Sequence, residues 1–157
     1  MRVPVPICLC LAILAAGTAV AQTFGRFAVE AELPPGFAMA PPPENDDGRS
    51  FIDGQGAEIR VWGRYILDTL SEDEAAMRTF YETLGGEVTY RAGGQDWYVL
   101  SGFLGQEVFY ARVEDGETCV GEHARASVQM RYPVEERARY DPLIATLSAS
   151  LGFGCAG

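Results

Sequence analysis

No lysine occurs in the chain, so each of its 12 basic residues is an arginine, set against 22 acidic residues. Only Arg2 falls within the first 21 residues, so the remainder carries 11 basic and 22 acidic groups, a net charge of −11. A surface of that sign repels phosphate backbones, whose binding depends on clustered cations, and this sets aside nucleic acid and anionic membrane surfaces as partners. Histidine is nearly absent too, and any imidazole chemistry must fall to the single His123. Long apolar runs are missing. The one from about Ile7 to Ala16 is shorter than the roughly 20 residues that a bilayer span needs.

That short run has a different meaning. Residues 2–21, "RVPVPICLCLAILAAGTAVA", order one arginine, an apolar core and an Ala19-Val20-Ala21 site as a secretory signal peptide does. Cleavage is expected between Ala21 and Gln22, in preference to an uncleaved anchor. Neither Cys8 nor Cys10 follows the Leu-small-small triplet of lipoprotein processing. The remaining 136 residues, 22–157, suit a single domain in the periplasm or outside the cell. Two cysteines survive cleavage, Cys119 and Cys155, and in an exported chain an even count invites a disulfide. Two free buried thiols are the alternative.

Along the domain, "FGRFAVEAE" (24–32) alternates apolar and polar residues as a first strand. The five prolines of "LPPGFAMAPPPENDDG" then exclude both helix interior and central strand. Residues 49–52 and "AEIRVWGRY" read as a hairpin. A helix follows, with Ser71 as N-cap, Glu74 as its capping-box partner, and Glu72 and Asp73 in the positive first turn. Its apolar stripe is Met77, Phe80, Tyr81 and Leu84, and Gly85-Gly86 stops it. Four strands follow as a meander, turning at Gly93-Gly94, Leu104-Gly105 and Asp115-Gly116, with "WYVLSGF" apolar on both faces and therefore central. The last helix is expected to start at Asp141 (N-cap) and Pro142, to bury Ile144, Leu147 and Leu151, and to close at Gly152 and Gly154. The order β-β-β-α-β-β-β-β-α is that of an α+β domain, helices packed on a central antiparallel sheet.

No segment has the spacing of a reactive constellation. Ser101 lacks the flanking glycines of a nucleophile elbow and precedes a strand, not a helix; a small residue beside Gly102, leaving room for a helix, accounts for it better. Cys119 and His123 form C-x3-H, but on a strand four residues span roughly 13 Å, too far for two ligands of one ion. His123 reads instead as solvent-facing, flanked by Glu122 and Arg125. The acidic loop "PENDDGRSFIDG" fails as a calcium loop because Pro43 and Gly54 fall where its first and twelfth ligands belong. "GGEVTYRAGG" lacks the G-K-[ST] of a phosphate loop. The acid runs at residues 72–74 and 135–136 lie at helix starts, where dipole and capping explain them. No catalytic residue, metal or cofactor is therefore expected. Aromatic residues, chiefly Trp62, Tyr65 and Trp97, form a candidate ligand or partner surface, with core packing as the alternative.

The segments "DGRSFIDGQGAEIRVWG", "VTYRAGGQDWYVLSGFLGQEVFYARV" and "VQMRYPVEERARYDPLIATLSASL" resemble small exported bacterial proteins related to the PsbP/Mog1-like α/β/α sandwich group. The carriers are Asp96-Trp97 before the central strand, Ser101-Gly102 after it and Tyr132-Pro133 before the last helix, over a span from Phe24 to Leu151. The resemblance implies a central antiparallel sheet with helices on both faces. It also implies a noncatalytic role in binding or stabilising partner proteins, as accessory subunits, GTPase-binding factors or chaperone-like adaptors do. It supplies no catalytic residues, and the Cys119 and Cys155 pair is this chain's own. The expected function is that of a periplasmic accessory or interaction protein whose partner is another periplasmic or envelope protein. The alternative is a small-molecule or peptide binder with an aromatic cleft beneath the Pro-rich segment, and a secreted hydrolase ranks third.

Overall fold

The computed structural model describes residues 21–155. The signal-peptide reading concerns residues 1–21 and so lies almost wholly outside them.

The strongest determinant of the architecture is the alternation in "HARASVQMRYP". One parity of this segment is Ala124, Ala126, Val128, Met130 and Tyr132; the other is His123, Arg125, Ser127, Gln129 and Arg131. A strand with that pattern must divide an apolar layer from a polar one. It does so as β9 (His123–Pro133), the middle strand of a seven-stranded antiparallel sheet. The others, in chain order, are β3 (Ala38–Met39), β4 (Gly48–Ile52), β5 (Glu58–Tyr65), β6 (Glu87–Gly93), β7 (Trp97–Leu104) and β8 (Glu107–Glu117), arranged β3-β4-β5-β9-β8-β7-β6. A three-stranded sheet joins the two ends of the domain: β1 (Ala21–Phe24), β2 (Val29–Glu32) and β10 (Gly152–Phe153), in the order β1-β2-β10. The helices are α1 (Leu70–Thr83) and α2 (Arg137–Ala149), the latter entered through a 3-10 turn at Val134–Glu136.

The apolar face of the large sheet packs against β2 and α2. Ile59, Val61, Val128 and Met130 are fully buried there against Val29, Ala31, Tyr140 and Leu147. On the opposite face α1 covers only the β7–β8 half, where Tyr98, Leu100, Phe109 and Val113 enclose Tyr81. The Tyr81 and Phe109 rings stack with centroids 3.7 Å apart and planes 9° from parallel, fixing the helix over that half.

Several sequence expectations are corrected. Phe24–Glu32 is not one strand but a hairpin, because Gly25 (φ 68) and Ala28 (φ 51) turn the chain. A side chain at Gly25 would stand 2.7 Å from the Asp46 carbonyl oxygen, so glycine is required there on steric grounds as well. Thr69, not Ser71, caps α1. Its hydroxyl accepts from the Glu72 N–H at 3.2 Å and the Glu72 carboxylate accepts from the Thr69 N–H at 2.9 Å. Both T-L-S-E and S-E-D-E fit a capping box; starting at Thr69 places Asp73 over the sheet, where it is 6% exposed. Asp115-Gly116 is not a turn, since β8 continues to Glu117 and the chain reverses over residues 118–122. Gly116 lies in the ladder, with the space beside it filled by the Phe153 ring. The "WYVLSGF" strand is second from the β6 edge rather than central, its two faces covered by α1 and by neighbours on the α2 side. In α2, Pro142 lies inside the helix, and Asp141 accepts from the Tyr132 hydroxyl at 2.7 Å instead of capping. Gly152 does not merely close this helix: it begins β10, whose partner is β2.

Candidate functional site

Because α1 leans over β7 and β8, the polar parity of β5 and β9 is left open beside it. The strand sequence "EIRVWGRY" places Arg60, Trp62 and Arg64 on that face, and β9 adds Gln129 and Arg131. Together with Met77, Phe80 and Tyr81 of the helix these side chains bound a groove of about 470 Å³. A second hollow of about 420 Å³ continues it beneath Pro41 and Pro43, with Arg60 and Trp62 common to both. Phe80 and Leu84 form an apolar rim, 54% and 52% exposed.

Arginine charges frame this trough. The Arg60 guanidinium donates to Glu58 at 2.8 and 3.1 Å. Arg131 Nη2 lies 3.2 Å from a Glu107 carboxylate oxygen, while its Nε is buried with no hydrogen-bond partner. Arg64 pairs with Asp73. Burial pushes the Tyr81 phenol up to about 12, the nearby Arg131 and Arg60 charges pulling it back in part, so it stays a neutral group in the groove wall.

Where α1 begins, the trough ends in a knot of charge around a buried arginine that the sequence places on the surface. Arg125 is fully buried. It donates to Asp115 at 2.5 and 3.0 Å, and to the Asp68 carboxylate and backbone carbonyl at 2.6 and 3.2 Å. Asp73 lies 3.6 Å away and accepts from the Tyr98 hydroxyl at 2.7 Å. Burial alone lowers the pKa of Arg125, but its bonds to Asp115 and Asp68 and the charge of Asp73 outweigh that and raise it. Burial and the bond to Asp73 likewise raise Tyr98, which stays protonated as a donor. All members are satisfied by one another, which is how charge survives inside a protein. Their geometry fixes the β5–α1 connection to the sheet.

The expected aromatic surface is divided by the sheet. Trp62 faces the groove and lines the hollow beneath Pro41 and Pro43. Tyr65 has the opposite parity on β5 and packs edge-on to Phe27 at 5.0 Å. Trp97 lies three strands away, also on the opposite face, with the Arg112 guanidinium 4.6 Å from its ring centroid. The three rings therefore do not share one cleft.

Cys119 and Cys155 are joined by a disulfide, their Cα atoms 5.4 Å apart. Cys119 stands in the β8–β9 turn rather than on a strand, and its sulfur is committed to the bridge. His123 is solvent-exposed, as read, but its neighbour Arg125 is not. The Ser101 hydroxyl donates to the Phe109 carbonyl at 2.7 Å. The space beside Gly102 serves strand pairing rather than a helix, for a Cβ there would lie 1.8 Å from the Glu87 carbonyl oxygen, next to the irregularity at Val88/Tyr90. In the acidic loop, Asp47 accepts from Arg26 at 2.5 Å and from Asn45 at 2.7 Å. Among the described residues no three His, Cys, Asp or Glu side chains are placed so that they could hold one metal ion, and no helix is long and apolar enough to cross a membrane.

Neither the groove arginines nor the buried knot was singled out from sequence, though the parity of β5 and β9 carries the signal. Arginine, serine, glutamine and arginine on alternate positions of a central strand mark a sheet face that an apolar helix cannot wholly cover.

No protein-family model and no curated protein matches the chain. Solved structures do. The cyanobacterial PsbP of Synechocystis sp. PCC 6803 aligns with a TM-score of 0.62 at 14% identity, over 92% of this chain and 99% of that one. The Ran-binding protein Mog1p of Saccharomyces cerevisiae aligns with a TM-score of 0.55 at 12% identity, over 86% and 95% or more of the two chains, the latter figure being 96%. A single-substitution variant of Mog1 gives 0.54 at 12% identity, over 85% of this chain and 95% of that one. The chain thus has the PsbP/Mog1-like fold, an α+β arrangement around an antiparallel sheet.

Proposed function

We propose that this chain is an exported, noncatalytic accessory or interaction protein, and that a partner protein docks in the groove between α1 and the β5–β9 face. The observation that carries the reading is a contrast within one sheet face. The charged groups nearest to an enzyme-like cluster, Asp68, Asp73 and Asp115, are gathered around the buried Arg125 and engaged by it. The groove beside them is open and combines exposed apolar side chains with arginines, the composition that dominates protein contact surfaces. That another bearer of this fold is a Ran-binding protein supports a binding role. The disulfide supports an oxidising compartment, and hence cleavage after Ala21 and residence in the periplasm or envelope.

A photo-crosslinking amino acid placed at Phe80 in the native host tests the docking. Irradiation should give a discrete adduct that the same probe at Val120, 81% exposed beside the disulfide, does not give. Identical smears from both positions, or none from either, count against it. Intact mass of the protein from the periplasmic fraction tests export, with an N-terminus at Gln22 as the expected result.

A small ligand is the second reading, because the groove volume falls within the range of ligand pockets. It would use Trp62 and not Trp97, and a ligand that abolishes the Phe80 adduct would favour it.

A further inference from the structure

We infer that the Cys119–Cys155 disulfide is a reducible latch: a dithiol that opens it frees the C-terminal strand β10 from β2 while the large sheet and both helices stay folded. This goes beyond the docking reading and does not depend on what occupies the groove.

The first support is the place of the bridge. Both cysteines are exposed, Cys119 in the β8–β9 turn and Cys155 just past β10, which gives an incoming thiolate access to the sulfurs. A disulfide exposed in this way exchanges with thiols more readily than one enclosed in a core. The second support is how little else holds the strand. β10 consists of Gly152 and Phe153, paired with Glu30 and Val29 of β2. Around that ladder the Gly154 N–H donates to the Ala28 carbonyl at 2.9 Å, and the half-buried Phe153 ring fills the space beside Gly116. A pairing of two residues is shorter than strands that persist unaided, so the covalent bond is the main tether.

The third support is that the core does not run through the latch. Among the described residues the last buried apolar one along the chain is Leu151, ahead of β10. Tyr140 and Leu147 keep α2 in the core, and β2 keeps β1 as its partner from Ala21↔Glu32 to Phe24↔Val29. Opening therefore bares the edge of β2 at Val29 and Glu30 and the space beside Gly116, as a local event at one end of the chain. In the exchange, one thiolate of the dithiol attacks an exposed sulfur and the S–S bond breaks. A mixed disulfide forms, and the other cysteine leaves as a thiolate that takes up a proton. The second thiol of the reagent then displaces the remaining cysteine, so the protein gains two electrons and two protons and the dithiol ends as a cyclic disulfide.

The test takes the oxidised protein in native buffer, with dithiothreitol as the dithiol. Cys119 and Cys155 should come to accept iodoacetamide. Hydrogen exchange read by mass spectrometry should quicken about tenfold or more in the peptides that carry β10 and the β2 edge, while β5 and β9 stay protected. Oxidised dithiothreitol should restore the slow exchange. The double variant Cys119→Ser, Cys155→Ser should exchange fast at β10 with or without the reagent. Reduction that proceeds only in denaturant, β10 protection that survives in the reduced protein, or protection lost from β5 and β9 together with β10 overturns the inference.

Discussion

The two faces of the large sheet bury comparable strands by different means. On the α2 side the parity is apolar from β5 to β9, and β2, β10 and α2 close over it. On the α1 side an apolar cluster of five buried residues holds one half, a buried ionic knot fixes the helix start, and the rest stays open. Apolar burial is non-directional and would let α1 slide. The knot around Arg125 supplies the direction, because its carboxylates come from the β5–α1 loop, α1 and β8 and meet at one point. The difference teaches that the covered face secures the fold, while the mixed face sets where the helix stops and so creates the groove.

That contrast can be broken from either side. The largest loss is expected from Arg125→Met, which takes the shared cation from Asp68 and Asp115 and leaves Asp73 to Arg64 and Tyr98, and which should cost about 4 kcal/mol in urea unfolding. A smaller loss than Leu147→Ala would show the knot to be dispensable. Replacing both cysteines, Cys119→Ser with Cys155→Ser, should cost about 3–4 kcal/mol from loop closure alone and expose β10 to hydrogen exchange before the rest of the sheet. Leu147→Ala, in the covered layer, should cost about 3 kcal/mol with the groove unaltered, as judged by the Phe80 adduct.

Alkaline titration sharpens the comparison, because each face holds a buried phenol. Tyr140, raised to about 12 chiefly by burial and by its bond to Asp53, lies on the covered side; Tyr81, also raised to about 12, lies on the mixed side. A phenol whose pKa is higher folded than unfolded stabilises fully below its ordinary value of 10, and that contribution disappears as pH rises through about 12. Unfolding midpoints should therefore fall across that window, and Tyr140→Phe should remove part of the fall while the part due to Tyr81 stays. At the acid end Asp53 has the opposite sign. Bonds from Tyr140 and the Gln55 and Ala57 amides outweigh burial and lower its pKa, so its contribution holds above the ordinary 3.8 and fades as pH drops through the lower folded value. Smallest of all, Phe80→Ser should change stability by no more than about 0.5 kcal/mol while it weakens docking, which separates surface from scaffold.

Much of the scaffold was legible in the residues. The four-strand meander, the hairpin of β4 and β5, the stop of α1 at Gly85 and the pairing of the two cysteines rest on local chemistry. What escaped depends on distant partners. Thr69 and Ser71 are equivalent caps until Asp73 has Arg64 and Tyr98 to meet. Asp115-Gly116 has the composition of a turn, and only Phe153, from the far end of the domain, reveals why glycine sits in a strand there. Arg125 beside an exposed His123 looks like surface unless three aspartates from elsewhere in the chain are brought to it. The groove escaped because a trough is a property of where α1 does not reach, and no single segment encodes that.

The three-stranded sheet has a consequence for biogenesis. Its middle strand pairs on one side with a near neighbour and on the other with Gly152–Phe153, so its ladder stays incomplete until residues about 120 positions further along have been made. The disulfide between Cys119 and Cys155 lies beside that last pairing, so the covalent lock and the completed ladder form together, after the rest of the large sheet has its strands.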